Sequence, residues 1–293
     1  MHSDRRFLVG LVGDGVTPSL TPPMHMAEAT ALGIPYVYRP IDTALLGLGV
    51  TELGEILAWA ERLGFDALNI THPFKQAVLP HLDHVDPVAA SLGAVNTVLL
   101  TAEGRLGYNT DTTGFAAALR EGLPGVPRER VVQFGAGGAG SAVADALLRD
   151  GVRELTIVDL DIERVAALAV RAGERHPHAE VRPGTPAEAA DLLARADGVV
   201  NCTPLGMAAH PGTAFDPALL RPQTWLADIV YRPLRTALLD AARERGCRTL
   251  DGGQMAVHQA VDAFELITGV RPDPRRMTRH FRDLVTSEEI LAR

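Results

Sequence analysis

The stretch Val131–Leu148, VVQFGAGGAGSAVADALL, passes from a short apolar run through a glycine-rich turn into a helix-forming segment. The turn has the spacing G-x-G-x-x-G in the context that gives it meaning, between the end of a strand and the start of a helix. Gly135 permits the tight turn, Gly137 lets the backbone approach a pyrophosphate, and Gly140 allows the helix to pack closely on the strand. Together with the free amides at the helix start, this stretch predicts a site for the phosphates of a dinucleotide.

An acidic residue ends the next apolar run. Residues 155–158 (LTIV) form a predicted strand, and Asp159 follows it, 24 residues after Gly135. A carboxylate at that place accepts hydrogen bonds from the adenosine ribose hydroxyls and repels the 2′-phosphate of NADP. The sequence therefore favours NAD over NADP as the cofactor.

Short apolar runs alternate with helix-like segments along the whole chain, a pattern typical of parallel βαβ units and of the α/β class. The predicted strands cover residues 7–12, 36–40, 67–70, 97–100, 131–134, 155–158, 198–201 and 225–228, and residues 256–268 and 277–291 look helical. A Pro/Gly break at residues 122–127 follows a helical segment that begins at residue 113. We expect one domain over residues 1–112 and a second over residues 113–254.

Composition narrows the classes of function. Hydrophobic residues make up 46% and charged residues 22% of the 293-residue chain, which excludes a disordered or fibrous protein. The net charge of −8 disfavours nucleic-acid binding, and no run reaches the ~18 apolar residues that span a bilayer. Cys202 and Cys247 form no close pair, so the sequence predicts neither a disulfide framework nor a metal site. This low use of cysteine suits a reducing cytoplasm.

Lys75 is the single lysine among the 28 lysine and arginine residues of the chain. Arginine keeps its proton in a protein, whereas a desolvated lysine can release one and act as a titrating amine. Lys75 is therefore a candidate acid–base residue. The alternative is one surface lysine that survived by chance in an arginine-rich protein.

Polar segments near Lys75 indicate a small-molecule site. Residues 69–75, 93–97 and 107–111 contain Asn, Thr, Lys and Asp, and we expect each segment to stand where a strand ends. Ligands of open α/β sheets bind at the carboxyl ends of strands. The three segments thus predict a polar pocket for a hydroxylated small molecule.

These segments resemble the shikimate dehydrogenase family, and the resemblance runs through nearly the whole chain. Further matching segments are residues 19–22, 113–114, the glycine turn, 201–207, 228–233, 251–255 and 258–259. The resemblance implies an N-terminal α/β substrate domain, a Rossmann-type NAD-binding domain, and C-terminal helices within residues 255–293 that pack back on the first domain and complete it.

The resemblance also implies roles for individual residues. Lys75 and Asp111 would form the catalytic pair. The substrate-binding residues would be Ser19 and Thr21 at the carboxylate, Thr71, Asn96 and Gln259 at the ring hydroxyls, and Tyr231 at the pocket wall. The cofactor-binding residues would be Gly135, Gly137, Gly138, Ala139 and Gly140 at the pyrophosphate, and Thr203, Pro204, Leu205, Val230 and Gly252 along the rest of the dinucleotide.

Two departures from the commonest family pattern favour one branch. Thr21 stands where the biosynthetic enzymes usually have serine, and residues 159–161 (DLD) replace their basic Asn-Arg-Thr/Ser element. With residues 255–259 (MAVHQ), the chain looks like the NAD-dependent quinate/shikimate dehydrogenases. Arg164 would lie over the adenine of the cofactor and would not anchor a 2′-phosphate.

The resulting hypothesis is an NAD-dependent dehydrogenase that oxidises the ring 3-hydroxyl of quinate, shikimate or both to the ketone, in quinate catabolism. Its partner would be a hydroxylated cyclohexane or cyclohexene carboxylate, with no nucleic acid and no membrane, and it would be a cytoplasmic monomer or homodimer. The alternatives are an NADP-linked biosynthetic shikimate dehydrogenase, an aminoshikimate-type enzyme and, from another class, a catalytically silent NAD-binding module.

Overall fold

The computed structural model describes the backbone of residues 5–291 and the side chains of residues 5–287. The chain forms two compact units. Unit 1 contains the residues up to Thr110 and those from Val257 onward, and unit 2 contains Asp111–Ala256. Each unit has one six-stranded sheet with connecting helices, so the predicted α/β class is confirmed.

Unit 1 contains a mixed sheet in the order β2-β1-β3-β5-β6-β4. Its strands are β1 (Phe7–Gly13), β2 (Tyr36–Asp42), β3 (Ala67–Ile70), β4 (His84–Val85), β5 (Thr97–Thr101) and β6 (Gly104–Tyr108). The helices that connect them are α1 (Thr21–Leu32), α2 (Thr43–Leu46), α3 (Leu53–Arg62), α4 (Phe74–Ala77) and α5 (Pro87–Leu92). The central strand β3 is buried along its whole length, as a strand with neighbours on both sides and helices over it should be.

The direction of β5 corrects one expectation. Strands β1, β2 and β3 are parallel, but β5 runs antiparallel to β3, with Asn69 opposite Thr97. Because β5 begins at Thr97, the prediction that residues 93–97 follow a strand is wrong. The start of an antiparallel strand lies at the sheet edge where its neighbour ends, so Asn96 still reaches the end of β3, and its carbonyl accepts the N–H of Ile70 at 2.8 Å.

Unit 2 contains a wholly parallel sheet in the order β12-β11-β10-β7-β8-β9. Its strands are β7 (Arg130–Phe134), β8 (Glu154–Val158), β9 (Glu180–Gly184), β10 (Gly198–Asn201), β11 (Trp225–Asp228) and β12 (Thr249–Leu250), and its helices are α6 (Asp111–Gly122), α7 (Gly138–Arg149), α8 (Ile162–Arg175), α9 (Ala189–Leu193) and α10 (Ala237–Glu244). This is the doubly wound order, in which the chain reverses its direction of growth between β7 and β10. Such sheets bind ligands at that reversal, where the glycine turn follows β7.

Four strands were not predicted from the sequence. Strands β4 and β12 have two residues each, which is too short to show any periodicity. Strand β9 lies at the edge of its sheet and contains Pro183, a residue that only an edge strand tolerates because it lacks an N–H donor. Strand β6 contains two glycines. In each case the neighbouring strand supplies the stability that the sequence pattern does not reveal.

Helix α7 lies in the core of unit 2, and residues 140–148 are all buried. Its alanines and glycines allow this close packing, but Asp145 within it is also fully buried and needs partners. Its carboxylate is paired with Arg149 (2.7 Å), Arg175 (2.9 Å) and the Nε2 atom of His176 (2.8 Å). These contacts join α7 to the end of α8.

The C-terminal helices α11 (Gly252–Thr268) and α12 (Pro274–Leu291) complete unit 1 from Val257 onward. The buried Glu28 carboxylate of α1 accepts hydrogen bonds from Arg276 Nε (2.7 Å) and Nη2 (2.6 Å) and from the Asp273 N–H (2.8 Å). The ring of Phe264 in α11 stacks on Tyr36 with the centroids 5.5 Å apart. The predicted return of these helices to the first domain is confirmed.

We expect the Arg276→Met variant to be less stable, because it leaves the buried Glu28 carboxylate without its cation. Removing one partner of a buried pair costs about 3–5 kcal/mol, and we expect about 3 kcal/mol in the free energy of unfolding measured with urea. Arg275→Met changes the exposed neighbour and should stay within about 0.5 kcal/mol of wild type. Equal stability of the two variants would contradict the role given to the Glu28–Arg276 pair.

Candidate functional site

In the glycine turn between β7 and α7, the three glycines of the G-x-G-x-x-G pattern differ in the space available for a Cβ. Gly135 has a φ of +105°, and a Cβ there would lie 2.7 Å from the carbonyl carbon of Cys202. A Cβ on Gly140 would lie 2.3 Å from the Gly135 oxygen. A Cβ on Gly137 would have no atom within 4 Å. Packing therefore requires glycine at positions 135 and 140, whereas a Cβ at Gly137 would face open space.

The start of α7 presents backbone N–H groups to that space. In the described residues no side chain caps the helix at Gly137, and Gly137, Gly138 and Ala139 are partly exposed. The first amides of a helix have no partner within it, and the N-terminus has a partial positive charge. The turn therefore fits a phosphate group without any side-chain cation.

Gln133 holds the two ends of the turn together. Its side chain is completely buried, and its Nε2 atom donates to the carbonyl oxygens of Gly135 and Gly140, each at 2.9 Å. Gln133 is not among the residues predicted to form the site. The signal was present, because Gln133 is the one amide side chain in an otherwise apolar strand after Arg130.

Asp159 follows β8 and is fixed beside the turn. One carboxylate oxygen accepts the Ala136 N–H at 2.8 Å, and the other accepts the Asp161 N–H at 3.2 Å. Each oxygen keeps a second acceptor position. Arg164 is exposed and pairs with Asp161 at 3.0 Å, so its contact with an adenine stays a prediction.

Asn201 and Asp228 shape the loops that follow β10 and β11. Asn201 Oδ1 accepts from the N–H and the hydroxyl of Thr203, and its Nδ2 donates to the Leu205 carbonyl (3.1 Å) and to Asp228 Oδ1 (2.9 Å). Asp228 Oδ1 also accepts the Val230 N–H at 3.1 Å. The loop Thr203–Leu205, which includes the exposed Pro204, and the start of the next loop are therefore held by one pair of side chains.

Burial raises the pKa of Asp228, against the opposing effect of its hydrogen bonds from Thr236, Val230 and Asn201. Burial likewise raises the pKa of the Cys202 thiol, so this cysteine stays protonated. A Cβ on Gly252 would lie 2.4 Å from the Ile229 oxygen, and Gly252 therefore lies directly against the loop that contains Val230 and then Tyr231. Unit 2 thus brings the glycine turn, residues 203–205, Val230 and Gly252 to one end of its sheet.

In unit 1, Ser19 and Thr21 stand at the start of α1. The Thr21 N–H donates to Ser19 Oγ at 3.3 Å, and both residues are partly exposed. Asp42 fastens the loop before them, accepting the N–H groups of Gly15 and Thr17 at 2.9 Å each. Burial opposes ionisation of Asp42, but these hydrogen bonds and that of the Thr17 hydroxyl hold its pKa below the ordinary value.

Thr71, Lys75 and Asn96 come together at the end of β3. The Thr71 N–H donates to the Val12 carbonyl at 3.0 Å, which joins the ends of β3 and β1. Lys75 lies on α4, partly exposed, and its carbonyl accepts the Val95 N–H at 2.8 Å, one residue before Asn96.

Gln259 and Asp111 stand on the helices α11 and α6. The Gln259 carbonyl accepts the hydroxyl of Thr110 at 3.0 Å, within unit 1. Asp111 is buried at the start of α6 and belongs to unit 2, whereas Lys75 belongs to unit 1. The pairing of Lys75 with Asp111 stays a prediction.

Two other features are absent from the part of the chain that the structure describes. Within it, no helix has both the length and the apolar character that crossing a bilayer requires. The same residues contain no group of three or more His, Cys, Asp or Glu side chains arranged to hold a metal ion.

Two family models match the chain. Residues 11–98 match the shikimate dehydrogenase substrate binding domain, and residues 131–208 match the saccharopine dehydrogenase NADP binding domain. The first match covers most of the strands of unit 1, and the second begins in β7 and includes the glycine turn.

Relatives of known activity match over nearly their full length. The shikimate dehydrogenase (NADP(+)) of Pseudarthrobacter chlorophenolicus is 56% identical, with 98% of each chain covered. The quinate/shikimate dehydrogenase (NAD(+)) of Corynebacterium efficiens is 51% identical, with 94% of this chain and 98% of the relative covered. The structure of quinate dehydrogenase from Corynebacterium glutamicum in complex with NAD superposes with a TM-score of 0.87 at 50% identity, covering 95% of this chain and 99% of the other.

We expect the Gly137→Ala variant to separate dinucleotide binding from folding. An added Cβ would have no atom within 4 Å and the φ of −72° suits alanine, so the free energy of unfolding should change by less than about 1 kcal/mol. The new methyl group would occupy the space that a phosphate needs. We expect the dinucleotide Kd, measured by fluorescence titration, to rise at least ~10-fold, equivalent to about 1.4 kcal/mol.

Two other glycines provide the controls. Gly140→Ala should instead lower the stability by about 1–3 kcal/mol, because its methyl group meets the Gly135 carbonyl. Gly173→Ala, in α8 with no atom within 4 Å of its Cβ, should leave the dinucleotide Kd unchanged. Wild-type dinucleotide affinity in a folded Gly137→Ala protein would contradict the assignment of the turn.

Proposed function

Because the chain belongs to the shikimate dehydrogenase family and is an oxidoreductase of the shikimate/quinate dehydrogenase kind, we propose that it is NAD-linked and oxidises the ring 3-hydroxyl of quinate, shikimate or both to the ketone. The family relationship supplies the reaction type and a pyridine nucleotide cofactor. The choice of NAD rests on one observation in this chain, the Asp159 carboxylate fixed beside the glycine turn.

The geometry of Asp159 supports NAD through charge and hydrogen bonding. Each of its two oxygens already accepts one backbone N–H, which orients the carboxylate. Each oxygen can accept one more hydrogen bond, and two ribose hydroxyls would supply these. The 2′-phosphate of NADP would bring about −2 charges to the same place, and Arg164 is paired with Asp161. Like charges at this separation repel each other, so NADP would bind less well.

The residues of unit 2 fit a dinucleotide. The turn from Gly135 to Gly140 would hold the pyrophosphate, Asp159 the adenosine ribose, and Thr203–Leu205, Val230 and Gly252 the remainder. A bound nicotinamide dinucleotide supplies the acceptor for the hydride that leaves the substrate carbon. The protein contributes the backbone dipoles at α7 and the fixed loops after β10 and β11.

We assign substrate binding to unit 1. Ser19 and Thr21 would hold the carboxylate, since two hydroxyl groups and the N-terminus of the twelve-residue helix α1 favour an anion there. Thr71, Asn96 and Gln259 would bind ring hydroxyls. The substrate class that these groups suit is a hydroxylated cyclohexane or cyclohexene carboxylate.

Lys75 and Asp111 would carry the proton chemistry. Oxidation of the alcohol breaks a C–H bond, whose electron pair leaves with the hydride, and an O–H bond, whose proton needs an acceptor. The Nζ atom of a neutral Lys75 would accept that proton, and the negative charge of Asp111 would stabilise the ammonium that forms. Arginine cannot replace lysine in this role, since it does not release its proton in a protein.

An NADP-linked shikimate dehydrogenase is the second candidate. One observation favours it: the Pseudarthrobacter relative, named for NADP(+), is 56% identical, against 51% for the Corynebacterium relative named for NAD(+). Initial rates with quinate and shikimate, each with NAD and NADP, distinguish the two candidates. Turnover with NADP alone would overturn the proposed cofactor but not the reaction.

We expect wild type to prefer NAD over NADP by at least ~100-fold in kcat/KM. An unpaired polar group costs about 1–3 kcal/mol, and the 2′-phosphate removes hydrogen bonds as well as adding repulsion. Asp159→Ser should shrink this ratio mainly through poorer use of NAD, because it also loses the contact with Ala136. Glu163→Ser, which removes an exposed carboxylate from the first turn of α8 but not the ribose ligand, is the matched control. A wild type that uses both cofactors equally well would refute the assignment.

We expect Lys75→Arg to lower kcat at least ~100-fold while changing KM for the acid much less, since it keeps the charge but removes the titrating amine. Steady-state rates of nicotinamide reduction measure both parameters. Gln76→Ala, at the exposed next residue of α4, should behave as wild type. A nearly unchanged kcat in Lys75→Arg would leave Lys75 a binding residue only.

A further inference from the structure

A continuous chain of buried hydrogen bonds crosses the sheet of unit 1 and includes Asn96. We call it the amide relay. Its bonds, in order, are Tyr38 Oη to Asn69 Oδ1 (2.5 Å), Asn69 Nδ2 to Thr97 Oγ1 (3.0 Å), Thr97 Oγ1 to Asn96 Oδ1 (3.0 Å), Asn96 Nδ2 to Thr110 Oγ1 (2.9 Å), and Thr110 Oγ1 to the Gln259 carbonyl (3.0 Å). Each of its five side chains is at most 5% exposed.

Backbone groups fix the orientation of the Asn96 amide. The Thr110 N–H, which can only donate, meets Asn96 Oδ1 at 3.0 Å, so the oxygen of the amide must lie there. The Gln259 carbonyl can only accept, so the single hydroxyl hydrogen of Thr110 points to it. The Thr110 oxygen therefore accepts a hydrogen bond from Asn96, and the atom that reaches it must be Nδ2.

Backbone also fixes the other half of the relay. Asn69 Nδ2 donates to the Asn96 carbonyl (3.4 Å) as well as to Thr97 Oγ1, so Asn69 Oδ1 lies on the opposite side and accepts from Tyr38. The Thr97 oxygen accepts from Asn69, and its hydrogen points to Asn96 Oδ1. All five bonds thus run in one direction. Reversing either amide would place a donor against a donor and an acceptor against an acceptor in a buried site, where unpaired polar groups are costly.

We infer that the amide relay fixes the orientation of the Asn96 amide for substrate binding, with Thr97 and Tyr38 as positioning residues. The inference rests on the proposed binding of the acid by Asn96. Its consequence is that Thr97 and Tyr38 affect the binding of the acid, although neither is assigned a contact with it.

Thr97→Val tests the middle of the relay with a side chain of the same shape. The variant leaves Asn69 Nδ2 and Asn96 Oδ1 each without one partner, and we expect KM for the acid to rise ~10-fold while kcat stays within about twofold. Thr97→Ser keeps the hydroxyl and should restore KM to within about twofold of wild type. Thr101→Val, at the exposed end of the same strand, should leave both parameters unchanged.

Tyr38→Phe tests the head of the relay and keeps the buried ring. Because the donor that this variant removes lies further from Asn96 than Thr97 does, we expect a smaller rise in KM, of about threefold. Tyr36→Phe, two residues away in β2, removes a hydroxyl that bonds to His25 outside the relay and serves as the control. The Kd for the dinucleotide, measured on the same proteins, reports on unit 2 and should not change in any of these variants.

The outcomes separate this inference from the proposed function. A wild type that turns over neither quinate nor shikimate contradicts the proposed function itself. If wild type is active and Thr97→Val leaves KM unchanged, only the amide relay is overturned. The same holds if Thr97→Val lowers kcat without raising KM. If Thr97→Val does not fold, an unchanged KM in Tyr38→Phe overturns it, and a rise there with wild-type kcat supports it.

Discussion

The close approach of α7 to β7 is the constraint on which unit 2 depends. It is possible because Gly140 has no side chain where the Gly135 carbonyl lies, and Gln133 then bonds to both residues. This contact places the start of α7 at the end of β7, next to the reversal point of the sheet. The position of the backbone amides at the start of α7 is thus a consequence of helix packing, and so is the absence of any atom near a Cβ at Gly137.

In both units, polar side chains pair with backbone groups at the ends of the strands. Where a strand leaves the sheet, its backbone groups lose their partners, and buried polar groups are costly unless they are paired. Asn201 in unit 2, and Asn69 and Asn96 in unit 1, each supply a donor and an acceptor on one side chain and hold the adjoining backbone. Amide side chains suit this role because they satisfy both kinds of backbone group at once.

The fold was largely predictable because its signals are local. Every predicted strand overlaps a strand of the structure, and α7 is the helix predicted to follow the glycine turn, since apolar runs and glycine spacing report on neighbouring residues. The two-residue strands β4 and β12 and the edge strand β9 were missed because their pairing, not their composition, makes them strands. The direction of β5 was missed for the same reason.

The sequence by itself determined the doubly wound unit with its glycine turn, the acidic residue after β8, and the family, because the signal for each lies in contiguous residues. Only the tertiary structure decided how the polar side chains are oriented. The donor direction of Asn96 depends on the Gln259 carbonyl acting through Thr110, although these two residues are 149 positions apart. No local pattern contains that information, since a hydrogen bond has a direction only when both of its partners are in place.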